Sequence, residues 1–370
     1  SEYRRKALER YANFAAEQGD FALKDFISRH DEASQAIGYS KSLMLFHMLR
    51  TMAGDKAFTS SIRQFWQRYQ YKYASFPDVI RLLHPAGKNF PDNDDGVRHF
   101  TEQWLNRTGA PEISLDNVSV RKLDDAYLLS ISISQQQQGP AYQLQIPLKI
   151  SLQGKAQPLH EAILLTDKSK LFTLKLNQQP LTVTLDPDYD VFRLLHANER
   201  PATLGRLFGA NKQLLVIPSS ASVEQKKAWQ QLAAAWSRKY KNVELLYDNQ
   251  NVNEIKAIAD DTAVWLLGWN NELLKDYSEY FTSQHADSTR RAASQTLSGN
   301  TVTTGRQQLN ADNHAVVLLD ADNTRSPLAF IGADDPEAIA LLARKLPHYN
   351  SYGVLAFELP AVNNIIKQHL

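Results

Sequence analysis

The sequence predicts a multidomain α+β protein: an all-helical subdomain, an antiparallel β-sandwich, then an α/β sheet domain. Three observations predict it. The 370-residue chain is too long for one hydrophobic core. The hydrophobic period changes from that of a helix to that of a strand near residue 112. Further on, apolar strand-like runs alternate with amphipathic helices. The expected domains are 1–111, 112–204 and 205–370.

The first region reads as helices. In “EYRRKALERYANFAAEQ”, Tyr3, Ala7, Tyr11 and Phe14 fall close to helical spacing. A helix is expected over Ser40–Met52, with Ser40 as N-cap and Gly54 as its stop, so “YSKS” at 39–42 reads as a turn before it. Phe58, Ile62, Phe65, Trp66 and Tyr69 then share a face. “SFPDVIRLLHPAG” begins like a capping box and stops at Pro85. “DDGVRHFTEQWLNRTGAPE” gives a last helix, closed by Gly109 and Pro111.

The second region alternates. Tyr142, Leu144, Ile146, Leu148, Ile150 and Leu152 form one apolar face, and “YLLSISIS”, “LFTLKL” and “LTVTL” repeat the pattern. Pro147 inside the cleanest strand points to an edge position or a bulge. In the third region, “QLLVIPSS”, “VELLY”, “AVWLLGW”, “HAVVLLDAD”, “PLAFIGAD” and “GVLAFEL” read as strands. Helices are expected at “VEQKKAWQQLAAAWSRKY”, Asn253–Ala259 and “PEAIALLARKL”, and continuous apolar strands imply a sheet covered on both faces. Ser283–Asn313 reads as a long loop or a crossing on the surface.

Composition narrows the function classes. With 41 basic and 40 acidic residues there is no global field to draw nucleic acid or an anionic membrane. The absence of cysteine removes disulfides and Cys-ligated metal sites, and suits cytosol and periplasm equally. No apolar run approaches a membrane span. “SEYRRKALERY” has neither an initiator Met nor an apolar signal core, and reads as a processed start already inside a helix.

Chemistry-bearing patterns are sparse. “HEAIL” at His160 lacks the second His at i+4 that a zinc helix needs. His47 lies on an apolar helix with no ligand partner at i±3 or i±4, and reads as a core residue bonded to some partner. Neither phosphate-binding glycine motif is present, and Ser219–Ser220 do not form a nucleophile elbow. “DPDYD” at 186–190 reads as a solvated turn in preference to a calcium loop. Trp229, Trp236, Trp265 and Trp269 fall at core-like spacings. On the residues alone, Tyr39 could be a packing residue or an active-site hydroxyl.

“YSKSLMLFHMLRTMAGDKAF”, “SIRQFWQRYQYKYASFPDVIRLL” and “FTEQWLNRTGAPEISL” resemble, in order and spacing, the segment downstream of the zinc site in gluzincin aminopeptidases of the M1 type. The resemblance covers roughly residues 25–200. It implies that Tyr39 is the catalytic tyrosine, whose phenol donates a hydrogen bond to the oxyanion forming at the scissile carbonyl. Lys41 matches the lysine of the family turn, with a structural task, and Ser42 departs from the usual Gly or Ala. The family's H-E-x-x-H helix, its further Glu ligand and its amine-binding residues precede this tyrosine. The resemblance therefore implies a C-terminal part of a zinc aminopeptidase acting on peptides. Its missing N-terminal catalytic half would hold the zinc, and this chain alone would bind no metal and be inactive. An exposed apolar face is then expected on the helical block. “DPEAIALLARKLPHYNSYGVLAFEL” resembles the ending of some bacterial M1-like proteins, which implies a periplasmic or envelope location; with no partner acid or nucleophile nearby in sequence, His348, Tyr349 and Tyr352 read as packing or interface residues. The rival reading is a non-catalytic binding or scaffold protein built on M1-like domains.

Overall fold

A computed structural model describes residues 1–15, 19–83, 94–196, 199–240, 242–250, 262–282, 295–305, 307–322 and 326–370. The helix expected at Asn253–Ala259 and the stop at Pro85 lie outside them. The architecture is mixed α+β: N-terminal helices, small antiparallel sheets, then a mixed seven-stranded sheet with helices. The chain forms two compact units, Ser1–Leu195 and His196–Leu370. No helix among the described residues is long and apolar enough to cross a membrane.

The first unit begins with α1 (Glu2–Arg10), followed by α2 (Glu32–Gln35), a π-helical stretch (Ala36–Lys41) and α3 (Ser42–Ala53). Gly54, at φ +79°, ends α3 where the sequence places its stop. Then come α4 (Asp55–Tyr69), α5 (Phe76–Leu83) and α6 (Asp94–Thr101). Six strands follow: β1 (Ile113–Lys122), β2 (Tyr127–Gln135), β3 (Leu144–Leu152), β4 (Leu159–Leu165), β5 (Ser169–Leu176) and β6 (Pro180–Leu185). They make two three-stranded antiparallel sheets, ordered β1-β2-β5 and β4-β3-β6.

One core joins the helices to both sheets. Leu129, Ile131 and Ile133 of β2 and Ile146, Leu148 and Ile150 of β3 share a buried cluster with Leu8, Tyr11, Ile37, Met44 and Trp104. Each fully buried aliphatic side chain contributes about 1.5–3 kcal/mol. Pro147 is not on an edge: β3 is the central strand of its sheet. Its carbonyl accepts the Asp186 N–H at 2.8 Å, so its nitrogen faces the same side, one step beyond the last β3–β6 pair, Leu148 with Leu185. The absent N–H therefore costs no ladder bond.

The second unit holds α7 (Leu204–Gly209), β7 (Lys212–Ile217), α8 (Val223–Ser237), β8 (Val243–Tyr247), β9 (Thr262–Leu267) and α9 (Leu274–Tyr277). It continues with β10 (Gln295–Ser298), β11 (Thr301–Thr304), β12 (Gln307–Asn310), β13 (His314–Leu319), β14 (Leu328–Gly332), α10 (Pro336–Lys345), β15 (Val354–Glu358) and β16 (Asn363–Gln368). The large sheet runs β16-β15-β13-β14-β9-β7-β8, with β14, β9, β7 and β8 parallel and the rest antiparallel. All of β9 and β14 is buried, as their unbroken apolar runs require. Trp236 Nε1 on α8 donates to the Ala343 carbonyl of α10 at 3.0 Å, fixing these two helices together.

The long loop expected at Ser283–Asn313 is corrected over its described part. Gln295–Ser298, Thr301–Thr304 and Gln307–Asn310 form an antiparallel meander, β10-β11-β12. Ser298 pairs with Thr301, so Gly299–Asn300 is a two-residue hairpin turn. Thr and Val alternate beside that turn, a strand signal that the polar composition concealed.

Candidate active site at Tyr39

The segment bearing Tyr39 is helical throughout. Asp31 and Ser34 form a capping box: Ser34 N–H donates to Asp31 Oδ1 at 2.7 Å, and Asp31 N–H donates to Ser34 Oγ at 2.9 Å. The helix therefore starts at Glu32, well ahead of Ser40, and runs to Gly54 through a π-helical widening at Ala36–Lys41. This corrects two expectations. “YSKS” is not a turn, and Ser40 is a buried mid-helix residue instead of an N-cap. Widenings of this kind occur often at functional sites.

Burial along the π stretch is uneven. Ile37, Ser40 and Lys41 are buried, whereas Tyr39 is 59% exposed. Its phenol is open to a group presented from outside. Its ring meets the Phe26 ring edge-on, with centroids 6.0 Å apart and planes at 78°.

Lys41 has the structural setting expected of it. It is 2% exposed, and Nζ donates to the Arg107 carbonyl at 3.1 Å. Burial lowers its pKa, with the Asp20 carboxylate acting in the opposite direction. Asp20 itself accepts the Tyr11 hydroxyl at 2.6 Å and the Gly109 N–H. Arg107 donates to the Pro140 carbonyl at 2.5 Å and stacks 3.7 Å from the Tyr142 ring centroid. Charge, hydrogen bonds and a cation–π contact thus tie the Tyr39 helix to the segment that leads into the sandwich.

His47 finds its partner far along the chain. Its Nε2 lies 2.8 Å from Asp190 Oδ1, and an Arg4 nitrogen approaches the same oxygen at 2.8 Å. The reading of “DPDYD” as a solvated turn is therefore wrong for two of its carboxylates. Asp190 pairs with His47 and Arg4, and Asp186, 1% exposed, pairs with Arg193 at 2.8 Å. Only the fold shows these partners, because they lie far from the turn or within its own return.

The hydrogen bond from His47, with help from Arg4, holds the Asp190 carboxyl below its ordinary pKa of 3.8. A carboxyl depressed by folding stabilises the fold above its unfolded pKa, and that contribution is lost as pH falls through the folded value. We expect His47→Ala to shallow the fall in stability below about pH 4. Urea unfolding across that range checks this, and parallel curves for both proteins would contradict it.

The remaining candidates stay apart from Tyr39. His160 lies exposed on β4, a strand. The four tryptophans are buried in the second unit, at most 4% exposed. Tyr349 packs edge-on against Phe357 and Tyr352 stacks on His369, with centroids 5.6 and 4.8 Å apart. Ser219 donates its N–H to Asp248 in a strand-end turn. Among the described residues, no three His, Asp or Glu side chains come together in a way that could hold a metal ion, so they do not form a zinc ligand set.

With this geometry in place, the chain proves to be a distant, partial homologue of M1 aminopeptidases. Aminopeptidase N of Lactococcus lactis subsp. lactis is 32% identical over 109 residues, which is 28% of this chain and 11% of that protein. Aminopeptidase 2, mitochondrial, of Saccharomyces cerevisiae is 24% identical over 187 residues, 49% of this chain and 18% of that protein. The alanine/arginine aminopeptidase of the same yeast is 23% identical over 205 residues, 54% of this chain and 22% of that protein. The matched stretches are thus no more than 22% of these relatives' lengths. No protein-family model matches the chain. A solved structure, Legionella pneumophila aminopeptidase A in complex with aspartic acid, superposes with a TM-score of 0.35 and 14% identity, over 57% of this chain and 24% of that one. The likeness rests on these partial sequence matches, and the superposition adds nothing to it.

Proposed function

We propose that this chain is the C-terminal part of a zinc-dependent aminopeptidase that removes N-terminal residues from peptides. Tyr39 supplies the hydrogen bond that steadies the oxyanion of the tetrahedral intermediate. The observation behind this reading is an exposed phenol among the buried Ile37, Ser40 and Lys41 of one helical stretch, in the segment that resembles the family's catalytic tyrosine. A preorganised donor aimed at developing charge is worth a few kcal/mol to a transition state. The chain's own residues hold that donor in place, while the metal and the binding of the substrate's amine belong to a preceding half.

Surface exposure supports a partner half. Tyr3, Ile27, Trp66, Tyr71 and Tyr73 of the helical block are each at least 67% exposed, and α4 has no fully buried residue despite its apolar stripe. Incubating this chain and an upstream-extended protein with aminoacyl reporter substrates tests the reading. Turnover and bound zinc are expected only in the extended protein. Turnover by the 370-residue chain alone would overturn the division of labour.

A further inference from the structure

We propose that Phe26 and Gly38 are positioning residues for Tyr39, a bare helical position and the ring that fills it together fixing where the phenol points. The proposal rests on the catalytic reading of Tyr39 given above. Gly38 lies inside the π-helical stretch, and its backbone has no left-handed conformation to demand glycine. Glycine there disfavours the helix relative to alanine, so helix formation does not explain it.

Space does. A Cβ on residue 38 would sit 2.2, 2.3 and 2.5 Å from Cε2, Cζ and Cδ2 of the Phe26 ring. The ring thus lies against the Gly38 Cα and meets the Tyr39 ring edge-on, 6.0 Å between centroids. Phe26 is itself held from behind. The short turn before it, Leu23–Asp25, buries Leu23, and further back Asp20 is fixed by Tyr11 and by the Gly109 N–H.

An exposed tyrosine without such a neighbour exchanges among its staggered χ1 wells. A donor in a reaction must instead be found in one place, since displacements of about 1 Å can cost up to about a hundredfold in rate. Phe26 narrows that choice from one side while leaving the hydroxyl open to an approaching carbonyl.

Two measurements separate this inference from the reading beneath it. In the 370-residue chain, the Tyr39 ring resonances, identified by their loss in Tyr39→Phe, should shift in Phe26→Ala. Unshifted resonances would mean that the rings do not meet, and the proposal fails. In the upstream-extended enzyme, Phe26→Ala and Gly38→Ala should each lower kcat about tenfold with KM within about twofold. Phe26→Tyr should restore the rate. The double variant Phe26→Ala/Gly38→Ala should be no slower than Phe26→Ala alone, because the added methyl then has room. Losses that multiply, or a fall in thermal stability with kcat intact, would overturn the positioning role. Full turnover in Tyr39→Phe would instead sink the catalytic reading, and this inference with it, while leaving the ring shift in place.

Discussion

Tyr39→Phe is expected to lower kcat of the upstream-extended enzyme about 10²- to 10³-fold, with KM and zinc content nearly unchanged. The substitution keeps the ring, its edge-on contact with Phe26 and its place in the π-helical stretch. It removes one O–H. An interaction made mainly in the transition state is lost in kcat and hardly at all in KM, which distinguishes this outcome from a damaged binding site. Equal turnover by both proteins would leave Tyr39 as a packing residue. Absence of both turnover and zinc in either would return the whole chain to the scaffold reading. The effect should also be local, because 59% of Tyr39 is exposed and its removal opens no cavity.

The second large effect lies in the turn that closes the sandwich. Arg193→Met should destabilise the Ser1–Leu195 unit by about 3–5 kcal/mol near neutral pH, the usual cost of stranding a buried charge. Asp186 is 1% exposed, accepts the Asp190 N–H at 2.6 Å, and receives the Arg193 guanidinium at 2.8 Å. Burial pushes its carboxyl up to about 6 in spite of that guanidinium. A group raised by folding contributes stability that is full below its unfolded pKa of 3.8 and is lost as pH rises through about 6. Without Arg193 the carboxyl rises further, so the penalty should shrink on moving from about pH 7 to about pH 5. Urea unfolding at both values decides it. A penalty independent of pH would show that packing, not the buried charge, accounts for the loss.

Elements whose cause is local were legible in the amino-acid pattern. The switch from helical to alternating period placed the helices before the strands of the first unit, and unbroken apolar runs marked the buried strands β9 and β14. Gly54 ended its helix where a left-handed residue was needed, and the four tryptophans went to the core. Tyr39 was singled out through the segment around it, not through any property of its own.

Tertiary structure alone decided the rest. Ser40 has no capping role because the Asp31–Ser34 box begins the helix earlier and the stretch between widens without breaking. Pro147 sits in a central strand because the neighbouring ladder ends one residue before it, and ladder ends depend on which strands meet. His47 and Asp190, 143 residues apart, form a hydrogen-bonded pair that neither local pattern signals. Phe26 and Gly38 touch across a bend twelve residues long in sequence, so the bare glycine has meaning only beside the ring that fills its space. Periodicity reports which face of an element is buried. Which distant groups share that burial is set only when the chain packs, because side-chain contacts, desolvation and charge pairing act over a few ångströms in space, whatever the separation along the chain.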